Sequence, residues 1–527
     1  MIVNRSMYPI QAGFASVTSM QDTLGKLETQ LGTGKKAGTL AEQGSTRHLS
    51  LSIREQLARF TGYGNTMDTV NLRLSMLGNS LGRLDEIESD TRTSMQPNAY
   101  GDDGLNLVSI PKQARSRLDE VITLLNTNVD GRYLMGGNRT EQAPVPTIDE
   151  LLNGSGGRAG FATVVSERNS ADLGADNMGR LTLSDSADAG PPATSTVTLA
   201  EDGVHPFGFK ISTVSDTSDA ISAVAAKQVP DDPDTGVPGT PGSLDVTFTG
   251  QPKPGDTITI GLTLPDGTQT TLKLTASSDD PPGAHSFKIG ADMQETADNF
   301  KATLQASLQG DSGTPRVDPG LANTELKTAS TFAAADNFFN GHGEPVLRVS
   351  GTPPETATSL RVATASDTIQ WYSGEDSDDP RRTVTAKVDD GTRVDYGVQA
   401  NETGFLQLMR TLAVASVTTY PSGDDTAKAR YDALATRQMS NLSESHNGED
   451  GSIEIVATEL GIAQNTIGKV TDRQKDYSAQ LTTMLGGAED VTPEQVAMEL
   501  LAVKTRLEAS YAAMASISQL SLANYLK

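Results

Sequence analysis

The sequence predicts an α+β, multidomain fold: a long α-helical coiled-coil bundle formed by both chain ends, with a large β-rich insertion in the middle. Three observations predict it. Of the 25 prolines in 527 residues, 21 lie between residues 141 and 425, leaving Pro9, Pro97, Pro111 and Pro493 outside. Proline removes a backbone donor and breaks helix interiors, so the ends are free to be helical and the middle is not. Charge draws the same boundaries. The net charge of −25 divides into +1 over residues 1–140, −22 over 141–425 and −4 over 426–527. Third, apolar residues recur every seven positions at both ends. The length alone suits two to four domains.

The first helix and its turn occupy residues 1–44. Ile10, Val17, Leu24 and Leu31 step by seven and are joined by Phe14, Met20 and Leu27, before Gly34-Lys35-Lys36 forms a polar, helix-breaking turn. Residues 45–140 make the N-terminal half of the bundle. Ile53, Phe60, Met67, Leu74 and Leu81 form one row, and Tyr63, Val70, Leu77 and Leu84 a second at the +3 offset, which is an a/d seam. At ~1.5 Å per residue a helix over 45–95 reaches roughly 75 Å and cannot bury its seam on itself. Its partner is the matching seam of residues 426–487: Val456, Ala463, Val470, Tyr477 and Met484, with Leu460, Ile467 and Leu481 at the +4 offset and Gln474 as a polar intruder. After Gly486-Gly487 the last helix, within 488–527, opens with Thr492-Pro493-Glu494-Gln495, an N-cap, a proline at the first position and Gln at N3. Leu500, Val503, Leu507, Tyr511, Met514, Ile517 and Leu520 make its apolar stripe. The two ends zip together with the middle looped out.

The middle reads as a first β-rich outer domain over 141–240 and a second α+β outer domain over 241–425. Thr257–Leu264, Pro265-Asp266-Gly267 and Thr268–Leu274 spell a hairpin, as do Val384–Val388, Asp389-Asp390-Gly391 and Thr392–Val398. The Gly/Pro/Asp cluster from Val229 to Gly236 reads as a loop. Short helices are expected near Asp292–Leu308 and Glu402–Val414.

Signals for chemistry are sparse, and the sequence predicts no enzyme, no cofactor and no metal site. Cysteine is absent, which excludes disulfides, thiolate metal sites and cysteine nucleophiles. His48, His205, His285, His342 and His446 include no pair at helical metal-ligand spacing. Gly34-Lys35-Lys36 lacks the upstream glycine and the following Ser/Thr of a phosphate loop. Glu375-Asp376-Ser377-Asp378-Asp379 lacks the spacing of a calcium loop and reads as solvated. Asn-x-Ser/Thr triplets at Asn138, Asn153, Asn401 and Asn441 are short enough to arise by chance. The acidic balance argues against nucleic acid as a partner. Apolar runs fall far short of the ~18–20 residues of a spanning helix, so no membrane insertion is expected. The first twenty residues have no continuous apolar region, so no conventional secretory signal is expected.

The apolar stripes nearest the ends are the informative feature. Phe14, Met20, Leu507, Met514, Leu520 and Leu522 lie where chains ordinarily fray, and stripes there call for a partner. The candidate coiled-coil and subunit-assembly residues are therefore Ile10, Phe14, Val17, Met20, Leu24, Leu27, Leu31, Phe60, Met67, Leu74, Leu81, Val470, Tyr477, Met484, Leu500, Leu507, Tyr511, Met514, Leu520 and Leu522.

Leu27-Glu28-Thr29-Gln30-Leu31-Gly32-Thr33-Gly34-Lys35-Lys36 is similar to the first helix and Ser/Thr-Gly-Lys turn of the flagellin superfamily. The long helix from Ser50 to Ile87 follows as it does there. Asn126-Thr127-Asn128-Val129-Asp130-Gly131-Arg132-Tyr133-Leu134-Met135-Gly136-Gly137 resembles the turn that leaves the third helix in the hook-filament junction branch, hook-associated protein 3. The ending Leu520-Ser521-Leu522-Ala523-Asn524-Tyr525-Leu526 is similar to that branch's Leu-Ser-Leu-x-Asn-Tyr-Leu, and Val394–Glu402 to the inner end of the variable region. Leu40-Ala41-Glu42-Gln43-Gly44 stands where the family has Asp-Asp-Pro, and the large middle is like that of filament flagellins.

The resemblance implies a structural subunit of the bacterial flagellum that joins hook to filament through its terminal helices. It implies an extracellular protein exported by the flagellar type III system with an export chaperone. The subunit forms a homo-oligomeric ring in the flagellar axis, between hook-associated protein 1 and flagellin. The alternative is a flagellin, the main filament subunit. A further alternative is a surface adhesin on a coiled-coil stalk, for which Trp371-Tyr372 is the only Trp-containing candidate platform.

Overall fold

The computed structural model describes residues 8–39, 41–100, 106–188, 190, 193–234, 237–310 and 319–525; in the two terminal helices the side chains before residue 12 and after residue 517 lie outside the description. Helix α1 (Tyr8–Thr33) precedes the long α2 (Arg47–Ser94) and α3 (Ile110–Leu125). The two-residue strands β1 (Asn128–Val129) and β2 (Arg132–Tyr133) turn about Asp130 and Gly131, both at positive φ. This left-handed pair is the geometry for which an Asp-Gly dipeptide is suited. Helices α4 (Ile148–Asn153) and α5 (Phe161–Leu173) follow, then strands β3 (Leu181–Asp188), β4 (Thr194–Glu201), β5 (Lys210–Asp216), β6 (Ile221–Ala226), β7 (Ser243–Phe248), β8 (Thr257–Thr263), β9 (Gln269–Ser277) and β10 (Ser286–Lys288). Next come α6 (Met293–Gln309), α7 (Lys327–Phe338), β11 (Leu347–Ser350) with β12 (Ser359–Val362), and the hairpin of β13 (Thr385–Lys387) and β14 (Arg393–Asp395). The chain closes with α8 (Thr403–Val417), α9 (Ala427–Asn441), α10 (Ile453–Glu489) and α11 (Pro493–Tyr525). Long terminal helices thus flank a β-rich centre, the architecture that the proline and heptad patterns predict.

The chain divides into two compact units. One takes the chain as far as Asn71, the short stretch Ala386–Val394 and the chain from Gln464 onward; the other takes Leu72–Thr385 and Asp395–Ala463. Both chain ends therefore belong to one body.

In the larger unit, two four-stranded sheets run in the orders β3-β4-β7-β6 and β10-β9-β8-β5. Pairing is antiparallel except for β9 with β10. Because β7 pairs with β4 and β8 with β5, the expected division at residue 240 falls inside both sheets. One apolar core extends from Met178 to Ala329, with Phe248, Phe287 and Phe300 meeting edge to face under α6. The β8–β9 hairpin forms where the alternation predicts it. The register of β5 on β8 shifts between Ile211 and Thr213, opposite Gly261, where a Cβ would stand 2.3 Å from Thr213 Oγ1. A bulge with glycine facing it is the usual answer to such crowding. The expected helix near Asp292 is α6, whose first turn is capped by the Asp292 side chain accepting from Glu295 N. The helix expected from Glu402 is α8.

A second aromatic group joins α5, α7 and the segment before β13. Phe339 lies 5.1 Å from Phe161, 5.0 Å from Phe338 and 5.8 Å from Trp371, centroid to centroid, and Trp371 Nε1 donates to Asn340 Oδ1 at 2.7 Å. Trp371 is 2 % exposed, so it is a core anchor and presents no platform to a glycan.

The helical part of this unit buries Leu74, Leu77, Leu81 and Leu84 of α2, the continuation of both heptad rows, and Ile87 one turn beyond Leu84. Helix α3 is tied to it by Ser80 Oγ with Thr127 Oγ1 at 3.0 Å and by Arg83 to Glu120 at 2.6 Å. Near the end of α2, Glu88 shares its surroundings with Glu454 in the first turn of α10, Asp85, Arg92 and His446. Burial, followed by the charge of Glu454, pushes the Glu88 carboxyl up to about 7. The folded chain therefore holds this proton up to about pH 7, and the unfolded chain only to the ordinary 4.5, so this site's contribution to stability is lost as pH rises through that window.

Two outcomes follow from this packing. Phe339→Ala removes a ring from the Trp371 group and lowers the unfolding free energy by about 4 kcal/mol, read by urea denaturation through Trp371 fluorescence. Glu88→Gln abolishes the fall in stability of the parent chain between about pH 5 and pH 7, read as thermal midpoints of both chains across that range.

Candidate functional site: the joined chain ends

The turn after α1 and the end of α10 are laced together by backbone. Gly34, at φ +70°, ends α1 with its N–H on Gln30 O at 2.8 Å. Lys36 N then donates to Glu489 O at 2.7 Å and Val491 N to Gly34 O at 3.0 Å, framing an antiparallel bridge between Lys35 and Asp490. Lys35 Nζ reaches Asp490 Oδ1 at 2.5 Å and Lys36 Nζ the Gly487 carbonyl at 2.6 Å. Both lysines thus serve the junction of the two ends.

The Glu489 carboxylate is the hub. It is 3 % exposed and accepts from Arg54 Nε at 2.9 Å, from Arg54 Nη2 at 2.7 Å and from the buried Ser50 hydroxyl. Lys35 Nζ lies 3.7 Å away. The hydrogen bonds from Arg54, then from Ser50, hold its carboxyl down to about 2. A two-pronged guanidinium contact with a buried carboxylate is a strong and directional one.

From this elbow α1 and α11 run antiparallel. Lys35 faces Asp490, Gln21 Nε2 donates to Tyr511 Oη at 2.6 Å, and a Cβ on Gly13 would stand 3.5 Å from Met514 Sδ. Val17 and Leu27 of α1 and Val496 and Leu507 of α11 are buried.

In the same unit α2 and α10 bury Ile53, Met67, Val70, Ile467 and Val470, with Thr471 Oγ1 on Met67 Sδ at 3.4 Å. Gln474, the polar interruption of the C-terminal seam, is buried and donates to Val388 O at 2.8 Å. The stretch Ala386–Val394 explains it. There Arg473 pairs with Asp389, Tyr63 Oη donates to Asp390 Oδ1 at 2.8 Å, and Lys387 Nζ stands 5.8 Å over the Tyr63 ring. The seam is polar where a hairpin tip needs a donor.

Of the candidate assembly residues, Val17, Leu27, Met67, Leu74, Leu81, Val470 and Leu507 are buried, while Met20, Leu24, Phe60, Leu500 and Met514 are half-buried. Phe14, Leu31, Tyr477, Met484 and Tyr511 are exposed. The side chains of Ile10, Leu520 and Leu522 lie outside the described residues. Exposure extends to Ile517 of the predicted stripe, at 52 %, and to two apolar residues that periodicity did not single out, Met498 at 65 % and Leu501 at 64 %. Single exposed apolar residues are ordinary, but a succession along paired helices is the mark of an interaction surface.

Three of the histidines, His342, His205 and His446, sit in ion pairs, while His285 meets the Ser307 hydroxyl at 3.2 Å. His342 Nδ1 meets Asp376 at 2.7 Å and its Nε2 meets Asp378 at 2.5 Å, and the Asp376 hydrogen bond raises the imidazole's affinity for its proton. His205 lies between Asp202 and Arg180, and His446 meets Glu449 at 2.9 Å. Among the described residues no group of three or more acidic or histidine side chains is arranged to hold a metal ion, and no helix is long and apolar enough to cross a membrane. Sequence reasoning missed Ser50, Arg54 and Glu489. The signals available were the acidic residue two positions after Gly486-Gly487 and the opposing basic turn.

No model of a known protein family matches the chain, and no curated protein does.

Replacing Glu489 with Ala leaves the buried Ser50 hydroxyl without its acceptor and costs about 2 kcal/mol. The sign with pH is opposite to that of Glu88: the depressed carboxyl contributes stability above its ordinary 4.5, and that contribution is lost as pH falls from there toward about 2. Helical circular dichroism during acid titration of the parent chain and Glu489→Ala reads both effects.

Proposed function

We propose that this protein is a structural subunit of the bacterial flagellum that joins hook to filament, in the manner of hook-associated protein 3. One observation carries the reading. Both chain ends fold beside each other as long helices, and Phe14, Met498, Leu501, Tyr511 and Ile517 stay uncovered on them in a single chain. Side chains of that kind, repeated along a helix pair, are covered when further copies pack against them. The motifs at Leu27–Lys36 and Asn126–Gly137 support the same assignment by resemblance, as does the terminal Leu-Ser-Leu-x-Asn-Tyr-Leu. The role is mechanical and not enzymatic. Copies form a ring in the flagellar axis, with hook-associated protein 1 on one side and flagellin on the other. An export chaperone covers the apolar stripes beforehand, and export runs through the flagellar type III system. The acidic middle, −22 over residues 141–425, keeps the outward parts apart and solvated.

The test separates assembly from folding. Met498→Asp with Leu501→Asp places charge on exposed positions, so the purified chain keeps its unfolding free energy within about 1 kcal/mol of the parent. In a strain carrying only this variant, the protein is released into the medium and is missing from purified flagella. Variant protein incorporated at the normal level would overturn the assembly surface.

A further inference from the structure

Asparagine precedes glycine at three places, Asn153-Gly154, Asn340-Gly341 and Asn447-Gly448. Glycine has no Cβ to shield its amide nitrogen, so that nitrogen can approach the carbonyl carbon of the preceding side chain. The three sites differ in whether the surroundings allow this approach. Gly154 N donates to Glu150 O at 2.9 Å, and a Cβ on Gly154 would stand 2.1 Å from Arg158 O, so this backbone is both engaged and enclosed. The Asn340 amide is pinned by the indole N–H of Trp371 at 2.7 Å. Asn447-Gly448 lies in the turn after the short helix Glu444–His446, Gly448 is exposed, and a Cβ built on it would meet nothing within 4 Å. Among the described residues nothing accepts the Gly448 N–H, and nothing holds the Asn447 side chain.

We propose that Asn447 is a site of spontaneous deamidation and isoaspartate formation. Gly448 N forms a bond to Asn447 Cγ and gives up its proton to solvent. The Cγ–Nδ2 bond breaks, and ammonia leaves with a proton taken from solvent. Water then opens the five-membered imide at either carbonyl, yielding aspartate or isoaspartate with no change of oxidation state. The site is wired to a helix cap. The Asn447 carbonyl accepts from Ser452 Oγ at 2.8 Å, and Ser452 Oγ accepts from Ile455 N at 3.3 Å in the first turn of α10. Isoaspartate reroutes the main chain through the side-chain carbon, displaces that carbonyl and releases the serine that caps α10. The new carboxylate also joins Glu449 and Asp450 in the same turn.

The full chain is incubated in mildly alkaline buffer and mapped by peptide mass spectrometry over time. The expected result is loss of the parent peptide carrying Asn447, replaced by aspartate and isoaspartate forms, while parent peptides carrying Asn153 and Asn340 persist. Gly448→Ala preserves the Asn447 peptide. Hydrogen exchange over residues 453–456 rises with the converted fraction. Conversion at Asn153 or Asn340 as fast as at Asn447, or an Asn447 peptide that survives intact, overturns the site; unchanged exchange in the converted protein overturns its link to the cap.

Discussion

The joined ends converge on a single buried carboxylate, beside the backbone bonds that lace them. Glu489 draws Arg54 and Ser50 of α2 and Lys35 of the turn after α1 onto the end of α10, and its own carbonyl takes Lys36 N. Segments more than four hundred residues apart in sequence are thereby held at one point. Loop closure over such a length costs entropy that grows only slowly with length, so a small set of strong, directional contacts suffices to offset it. The backbone bridge of Lys35 with Asp490 and the Gln21 to Tyr511 bond then carry the antiparallel register of α1 and α11 away from this point.

The helix pair below the elbow follows the same economy. Apolar rows on α2 and α10 supply non-directional burial, and the polar exception, Gln474, supplies direction by donating to Val388 O. A heptad seam free of such exceptions can slip by a heptad; one buried donor with a unique acceptor cannot. The adjoining contacts of Tyr63 with Asp390 and Arg473 with Asp389 repeat that specification on the rim. Several apolar side chains, Phe14, Met498 and Leu501 among them, are left exposed outside both helix pairs.

Much of this was legible in the sequence, for reasons that can be named. The heptad rows of α2 and α10 are visible because a long helix buries one face only, and the 3.5-residue spacing records which face. Proline marked the β-rich middle because helix interiors exclude it, and the acidic charge falls within the same bounds. The hairpin at Pro265-Asp266-Gly267 was readable from alternation around a turn dipeptide. The division at residue 240 was not, because strand partners β4 with β7 and β5 with β8 are set by long-range pairing that local composition does not encode. Glu489 escaped for a related reason: a lone acidic residue becomes a hub only through Ser50 and Arg54, which no local pattern connects to it. Met498 and Leu501 stand off the row of Leu500, Leu507 and Met514, and a period search for one buried face passes over residues on another.

Immunogold electron microscopy of intact flagella, using antibody raised against residues 141–425, tests the proposed place of this chain. The expected result is label confined to a narrow band where hook meets filament. Label along the whole filament would make the chain a flagellin, and absence of label from flagella would contradict the flagellar assignment altogether.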